Sequence, residues 1–294
     1  MNKLTFTLAM LATLTACAAA QQTQLTGMLN GASAIAVPDA KIGQTPPWPH
    51  PANALPAAQK KRADMLISVF ENATTELQYG YVENLGDGRG YTAGRAGFCS
   101  GCGDLLQVVE EYAKAVPHAP LAKLLPRLRE VAKTSSDSVT GLEALPKLWA
   151  DAAKDPKFCA AQDDVSDRLY YEPALKLAAK AGLKRDFSKV AIYEACIQHG
   201  TGNDADGVPA MMTAAAKIAK TPARGGDEAK WLYQFLLIRK ATLQNAHDPS
   251  TRQAWAESVG RADTMLDIFN SGNMDFKGML TVSPYDKTTS YTIP

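Results

Sequence analysis

The stretch ENATTELQYGYVENLGDGRGYTAGRAGFCSG, residues 71–101, decides how the chain is read. It follows an apolar run of helical period and contains three closely spaced glycines, Gly86, Gly88 and Gly90. Glycine loses more backbone freedom on folding than any other residue, so such a cluster marks a tight turn or a close approach by a ligand. The run before it places Leu66, Val69, Phe70 and Ala73 on one helical face. Between residues 77 and 97 that period fails, and a small β-hairpin or irregular sheet between two helices is expected. Further stripes of helical period recur at Leu105, Val108, Val109, Tyr112 and Val116, and at Leu121, Leu124, Leu125 and Leu128. They continue at Trp231, Leu232, Phe235, Leu236 and Ile238, and at Trp255, Val259, Ala262, Leu266 and Phe269. These stripes are core faces. The fold class is mainly α (α+β), a helical domain with a small sheet inserted near its start.

At 294 residues, 46% hydrophobic and 21% charged, the chain can bury a sizeable core. Lys plus Arg number 31 and Asp plus Glu 30, so no basic excess points to nucleic acid. Residues 1–20 read as an export signal: Lys3, an apolar run over residues 4–16, then small residues. That run is too short to span a bilayer. Ala18, Ala19 and Ala20 suit ordinary cleavage, while Leu14, Thr15, Ala16 and Cys17 resemble a lipobox that would make Cys17 a lipidated N-terminus; both readings stand. A secreted protein is expected, membrane-attached only if Cys17 is lipidated. Residues 21–56 are proline-rich and read as a linker, and residues 57–294 as one domain. Cys99, Cys102, Cys159 and Cys196 remain after the signal. In an exported chain they suggest disulfides, with connectivity open. A zinc ribbon would need a second close pair. GNDADG, residues 202–207, fails the calcium-loop pattern. No metal or cofactor is expected.

Two carboxylates stand out. Glu71 lies at the C-terminal end of the first helix, where the helix dipole and the neighbouring apolar face both favour the protonated form, as a general acid needs. Asp87 lies between Gly86 and Gly88, with Arg89 near enough to keep it ionised, which suits a general base. Taken singly, a solvated helix-end Glu and a turn Asp are the commoner fates. As a pair, one on a helix and one in a hairpin, they match acid–base hydrolysis of a glycosidic bond.

The segment FENATTELQYGYVENLGDGRGYTAGRAGFCSGCGD, residues 70–104, resembles the signature region of the family 46 chitosanases, and HGTGND (199–204), KTPARGGDE (220–228) and AHDPSTR (246–252) resemble family segments in the same order. The likeness runs from about residue 57 to the C-terminus. It implies a lysozyme-like, two-lobed fold with a cleft between the lobes, and an inverting endo-hydrolase of β-1,4-linked glucosamine with chitosan as its partner. It implies Glu71 as acid, Asp87 as base and Thr92 as holder of the attacking water. Asp104, Arg89, Glu83, His247 and Asp248 would bind substrate, with helix capping as the bland role for Asp104. Arg239, Asp204 and Arg252 would form a charge network behind the acid. Cys102 departs from the hydroxyl residue expected there, and Gln244 from an acid. Chitosan is a polycation in mild acid, and Glu71, Glu83, Asp87, Asp104 and Asp204 would attract it from a protein near neutral overall. A hydrolase of a related amino-sugar polymer and a non-catalytic glycan-binding protein are the alternatives.

Overall fold

The computed structural model describes residues 52–86, 88–249, 251–285 and 288–294. The expected export signal, Cys17, most of the expected linker, and Asp87 lie outside the described residues. The first helix, α1 (Ala57–Asn72), starts after Pro56 and ends where Ala73 turns left-handed at φ 53°. It buries Leu66, Val69 and Phe70, as their spacing requires. The expected linker ends sooner than residue 56. Leu55 is buried and its N–H donates to the Tyr171 hydroxyl at 2.6 Å, while Asn53 donates to Leu175 O at 2.9 Å.

A three-stranded antiparallel sheet follows: β1 (Val82–Asn84), β2 (Tyr91–Ala93) and β3 (Phe98–Cys99), in that order. Its register sets Thr92 opposite both Glu83 and Cys99. The sheet packs with α2 (Asp104–Ala115), α3 (Leu125–Lys133), α4 (Leu145–Ala152) and α5 (Pro156–Ser166). Together they enclose one core, in which the Phe158 ring meets Trp149 and Tyr112 edge-on at 4.8 and 4.9 Å. This is the small lobe.

The large lobe has its own core. It draws on α1, α6 (Glu172–Ala181), α7 (Asp186–His199), α8 (Val208–Ile218) and α9 (Glu228–Gln244). After α10 (Arg252–Glu257) come α11 (Val259–Asn270) and a closing ribbon of β4 (Leu280–Val282) and β5 (Tyr291–Ile293). A π-helical turn, Asp167–Tyr171, joins α5 to α6, so one nearly continuous helix runs from the small core to the large one. Ala96 and Leu169 pack against both cores.

The stripe Trp255 to Phe269 predicts one helix, and the structure breaks it at Ser258. The Ser258 hydroxyl donates to Trp255 O at 2.8 Å and accepts from Gln198 Nε2 at 2.7 Å. A serine bonding to its own backbone competes with the helix ladder. The break starts α11 afresh and points Arg261 inward, where it is 2% exposed. No helix among the described residues is long and apolar enough to cross a membrane.

Candidate active site

Glu71 occupies the last turn of α1, just before the chain passes from the large lobe into the sheet of the small one. The two carbonyls before it, on Val69 and Phe70, accept from the Tyr285 hydroxyl, the second at 2.8 Å, so the helix end is tied to the C-terminal segment. Glu71 Oε1 accepts from Arg261 Nη1 at 2.6 Å, and the Arg261 guanidinium lies over the Phe70 ring at 5.3 Å. Arg261 is shared: its Nε donates to Glu194 Oε1 at 2.9 Å. Glu194, fully buried on α7, also takes Arg239, whose Nη1 lies 2.5 Å from Oε2 and whose Nη2 donates to Oε1 at 2.9 Å. Arg239 donates further to Gln198 Oε1 at 2.8 Å, and Gln198 holds Ser258. The network therefore closes on itself, because Ser258 begins the helix that carries Arg261.

Two carboxylates and two guanidiniums share this buried site, so each charge has a partner. Burial lowers the affinity of Arg239 and Arg261 for their protons. At Arg261 the two carboxylates more than offset that effect, and its value is raised. At Arg239 burial prevails and the value falls. His199, buried beside them, stays neutral: burial first, then the positive charges of Arg239 and Arg261, push its value well below the ordinary one.

Two members of the charge network expected from sequence lie elsewhere. Asp204 is exposed, and its Oδ1 accepts from the N–H of Asp206 at 3.1 Å. Arg252 is exposed on α10, and its Nε donates to Ala246 O at 3.1 Å. Glu194 and Arg261 take those places. Arg252 opens the short helix α10, nine positions before Arg261, so an arginine matched beside HDPST falls at that exposed helix start rather than beside Glu71. Asp206, inside the rejected GNDADG segment, was also missed. Its Oδ2 accepts the N–H groups of His247 and Asp248 at 2.8 and 3.1 Å, and its Oδ1 lies 2.7 Å from His247 Nδ1. His247 and Asp248 are exposed on that tethered loop.

Across the junction, Thr92 is fully buried and its Oγ1 has no hydrogen-bond partner among the described residues. Glu83 is exposed on β1 and accepts from the Tyr81 hydroxyl at 3.0 Å. The Arg89 carbonyl accepts from the N–H of Gly101 at 3.0 Å, tying Arg89 to the segment just after β3. That fit needs glycine at Gly90, where φ is 77° and a β-carbon would strike the Ser100 hydroxyl. Cys99 and Cys102 form a disulfide, while Cys159 and Cys196 take part in none among the described residues. Asp104 begins α2 directly behind it, 6% exposed. Its Oδ1 accepts from the N–H groups of Cys99 and Leu105 at 2.7 and 2.8 Å. Burial pushes its carboxyl up to about 6 despite those bonds. Sequence gave this residue a choice between substrate and cap; one of its oxygens braces the disulfide loop.

Comparison with known proteins places this geometry in context. Residues 65–280 match the profile of glycosyl hydrolase family 46. The chain is 48% identical over 225 residues to a chitosanase of Bacillus subtilis (strain 168), covering 76% of this chain and 81% of that protein. It is similar in structure to a mutant chitosanase from Bacillus subtilis MY002 complexed with 6 GlcN, with TM-score 0.72, 45% identity, and 82% of this chain and 100% of that one covered. It is likewise similar to a Gynuella sunshinyii chitosanase in complex with chitotetraose, with TM-score 0.71, 43% identity, and 82% and 99% covered.

Two outcomes follow from the buried charges. Glu194→Gln leaves Arg239 and Arg261 facing each other without a full counter-charge, so urea melts should show a loss of about 3–5 kcal/mol, the usual effect of removing one partner of a buried pair. A loss below about 1 kcal/mol contradicts the network. Burial gives Asp104 a folded value of about 6, above its ordinary 3.8. The native state therefore holds the proton more tightly, and this group's stabilising contribution grows as pH falls from about 6 towards 4. Asp104→Asn removes that slope. The variant should be at least as stable as the wild type at neutral pH, with the difference shrinking towards pH 4; a melting-temperature difference independent of pH rejects this.

Proposed function

The chain belongs to glycosyl hydrolase family 46 and is a chitosanase, an enzyme that hydrolyses chitosan; we propose the following division of labour among its residues. The observation that carries it is the one-sided hold on Glu71. Arg261 takes Oε1 at 2.6 Å, which leaves Oε2 to carry the proton. Glu71 is then the general acid. It gives that proton to the glycosidic oxygen as the bond from C1 breaks, and the charge that appears on its carboxylate falls beside a guanidinium already in place. Stabilisation of that kind acts where charge develops and needs no reorganisation during the step.

Asp87 is the general base. It takes a proton from the water that bonds to C1 on the opposite face of the sugar, and the Thr92 hydroxyl, without a partner among the described residues, holds that water. One proton leaves Glu71 and one arrives on Asp87, and exchange with solvent restores both. The configuration at C1 inverts, because water rather than a carboxylate attacks it. Around this pair, Glu83, Asp248 and the second oxygen of Asp104 face glucosamine ammonium groups, while Arg89 and His247 donate to hydroxyls. A polymer substrate cannot enter a cell, which agrees with export directed by residues 1–20. Intact mass of the exported protein tests this reading: a mass that still includes residues 1–16 excludes both proposed processing sites.

Glu71→Gln keeps the shape of the acid and removes its proton, and Asp87→Asn removes the base. Each should lower turnover on chitosan by at least about 10²–10⁴-fold, the range for general acid–base groups. Either variant retaining near wild-type turnover while folded would show that its residue has been misassigned.

A further inference from the structure

The lobes meet at a second charge cluster, buried except at the half-exposed Asp163, that the reaction as proposed leaves unused. Its centre is Arg95, in the turn of residues 94–97 between β2 and β3, with a side chain 5% exposed. One arm of the guanidinium, Nη2, lies 3.0 Å from Asp64 Oδ1, and the other, Nη1, lies 2.8 Å from Asp163 Oδ1. Asp64 belongs to α1 and Asp163 to α5. Both acceptors are themselves held. Lys60 Nζ donates to Asp64 at 2.9 Å and the Tyr193 hydroxyl at 3.0 Å, while the Tyr79 hydroxyl donates to Asp163 at 2.9 Å. Lys60 reaches on to Asp167, in the π-helical turn, at 2.7 Å. Burial pushes the Asp64 carboxyl up, but Arg95 and Lys60 outweigh it and hold the group below its ordinary value. The backbone of the same turn is pinned too, since the Arg95 N–H donates to Gln162 Oε1 at 3.1 Å.

The chain positions give the cluster its significance. Arg95 lies three residues beyond Thr92. Asp64 precedes Glu71 by seven residues, two turns of α1, and so lies on the same face. A single guanidinium thus ties the turn that follows Thr92's strand to the helix whose last turn carries Glu71. A buried ion pair adds little net stability over well-packed apolar side chains. A rigid planar fork held by two carboxylates does fix orientation, which a flexible ammonium does less well. Reacting groups displaced by about 1 Å can lose roughly a hundredfold in rate.

We propose that Arg95 is a positioning residue for the hydrolysis, setting the separation between the Glu71 side and the Thr92 side of the cleft. The proposal rests on the catalytic reading of Glu71 given above. Arg95 touches no substrate in this scheme, so its removal should reduce kcat and leave KM nearly unchanged.

The experiment compares Arg95→Met, Arg95→Lys and Asp163→Asn with Val109→Ala, a buried small-lobe change remote from the junction. Kinetics on chitosan are measured well below each melting temperature, with Glu71→Gln run in parallel. Arg95→Met should lose about ten- to a hundredfold in kcat with KM within about threefold, in keeping with the misplacement effect. Arg95→Lys should recover part of the loss. Val109→Ala should keep kcat whatever its melting temperature. Folded Arg95→Met with kcat within twofold of the wild type overturns the proposal, as does a loss carried by KM or an equal kcat loss in Val109→Ala. If Arg95→Met does not fold, Arg95→Lys and Asp163→Asn decide: both must lower kcat without raising KM, and wild-type kcat in both overturns the proposal. An active Glu71→Gln would instead discredit the catalytic reading itself, so the two failures are distinct.

Discussion

One guanidinium shared by two carboxylates organises the large lobe around the reaction. Arg261 lies between Glu71, which is partly open to the cleft, and Glu194, which is wholly buried. Removing Arg261 from water is costly unless its charge is matched, and Glu194 supplies that match together with Arg239. In the proposed reaction Glu71 can therefore lend one oxygen to the guanidinium and keep the other for the substrate. In that proposed step the balance also shifts: a protonated Glu71 leaves Arg261 under-compensated, and donating the proton restores the pair.

The rest of the architecture delivers these groups to one place. The break at Ser258 starts α11 where Arg261 can turn inward, and Gln198 ties that break to Arg239. Tyr285 fastens the Val69 and Phe70 carbonyls near the end of α1, so the proposed acid, Glu71, sits on a helix end that is held rather than frayed. On the facing lobe, the sheet holds Thr92 in its middle strand, and the Cys99–Cys102 disulfide with the Asp104 brace shapes the return into α2. The long helix through the π-helical turn and the Arg95 cluster join the two halves.

What sequence could and could not reveal divides along physical lines. Helices α1, α2 and α9 carry a local apolar period, and the glycine-rich stretch after α1 shows where that period stops, so all were legible. Glu71, Thr92 and Asp104 fall inside one recognisable segment, which is why the sequence singles them out. Arg261 was not. It bonds to residues 190 and 67 positions away, and a buried ion pair leaves no local pattern at either partner. The arginine in a matching motif, Arg252, drew the role instead, and Asp204 drew the role of Glu194 for the same reason. The ribbon of β4 and β5 has three-residue strands, too short for an alternation to register. The break at Ser258 depends on a side chain from another helix, which no local window contains.

The central claim is that Glu71 delivers a proton from its free oxygen while a water, not a second carboxylate, attacks the sugar. The configuration of the first product formed tests this most directly, because a water-mediated displacement inverts C1 and a covalent intermediate restores it. Proton NMR of chitosan digests, read before the anomers equilibrate, should show the new reducing ends as α. Initial β products would contradict the account.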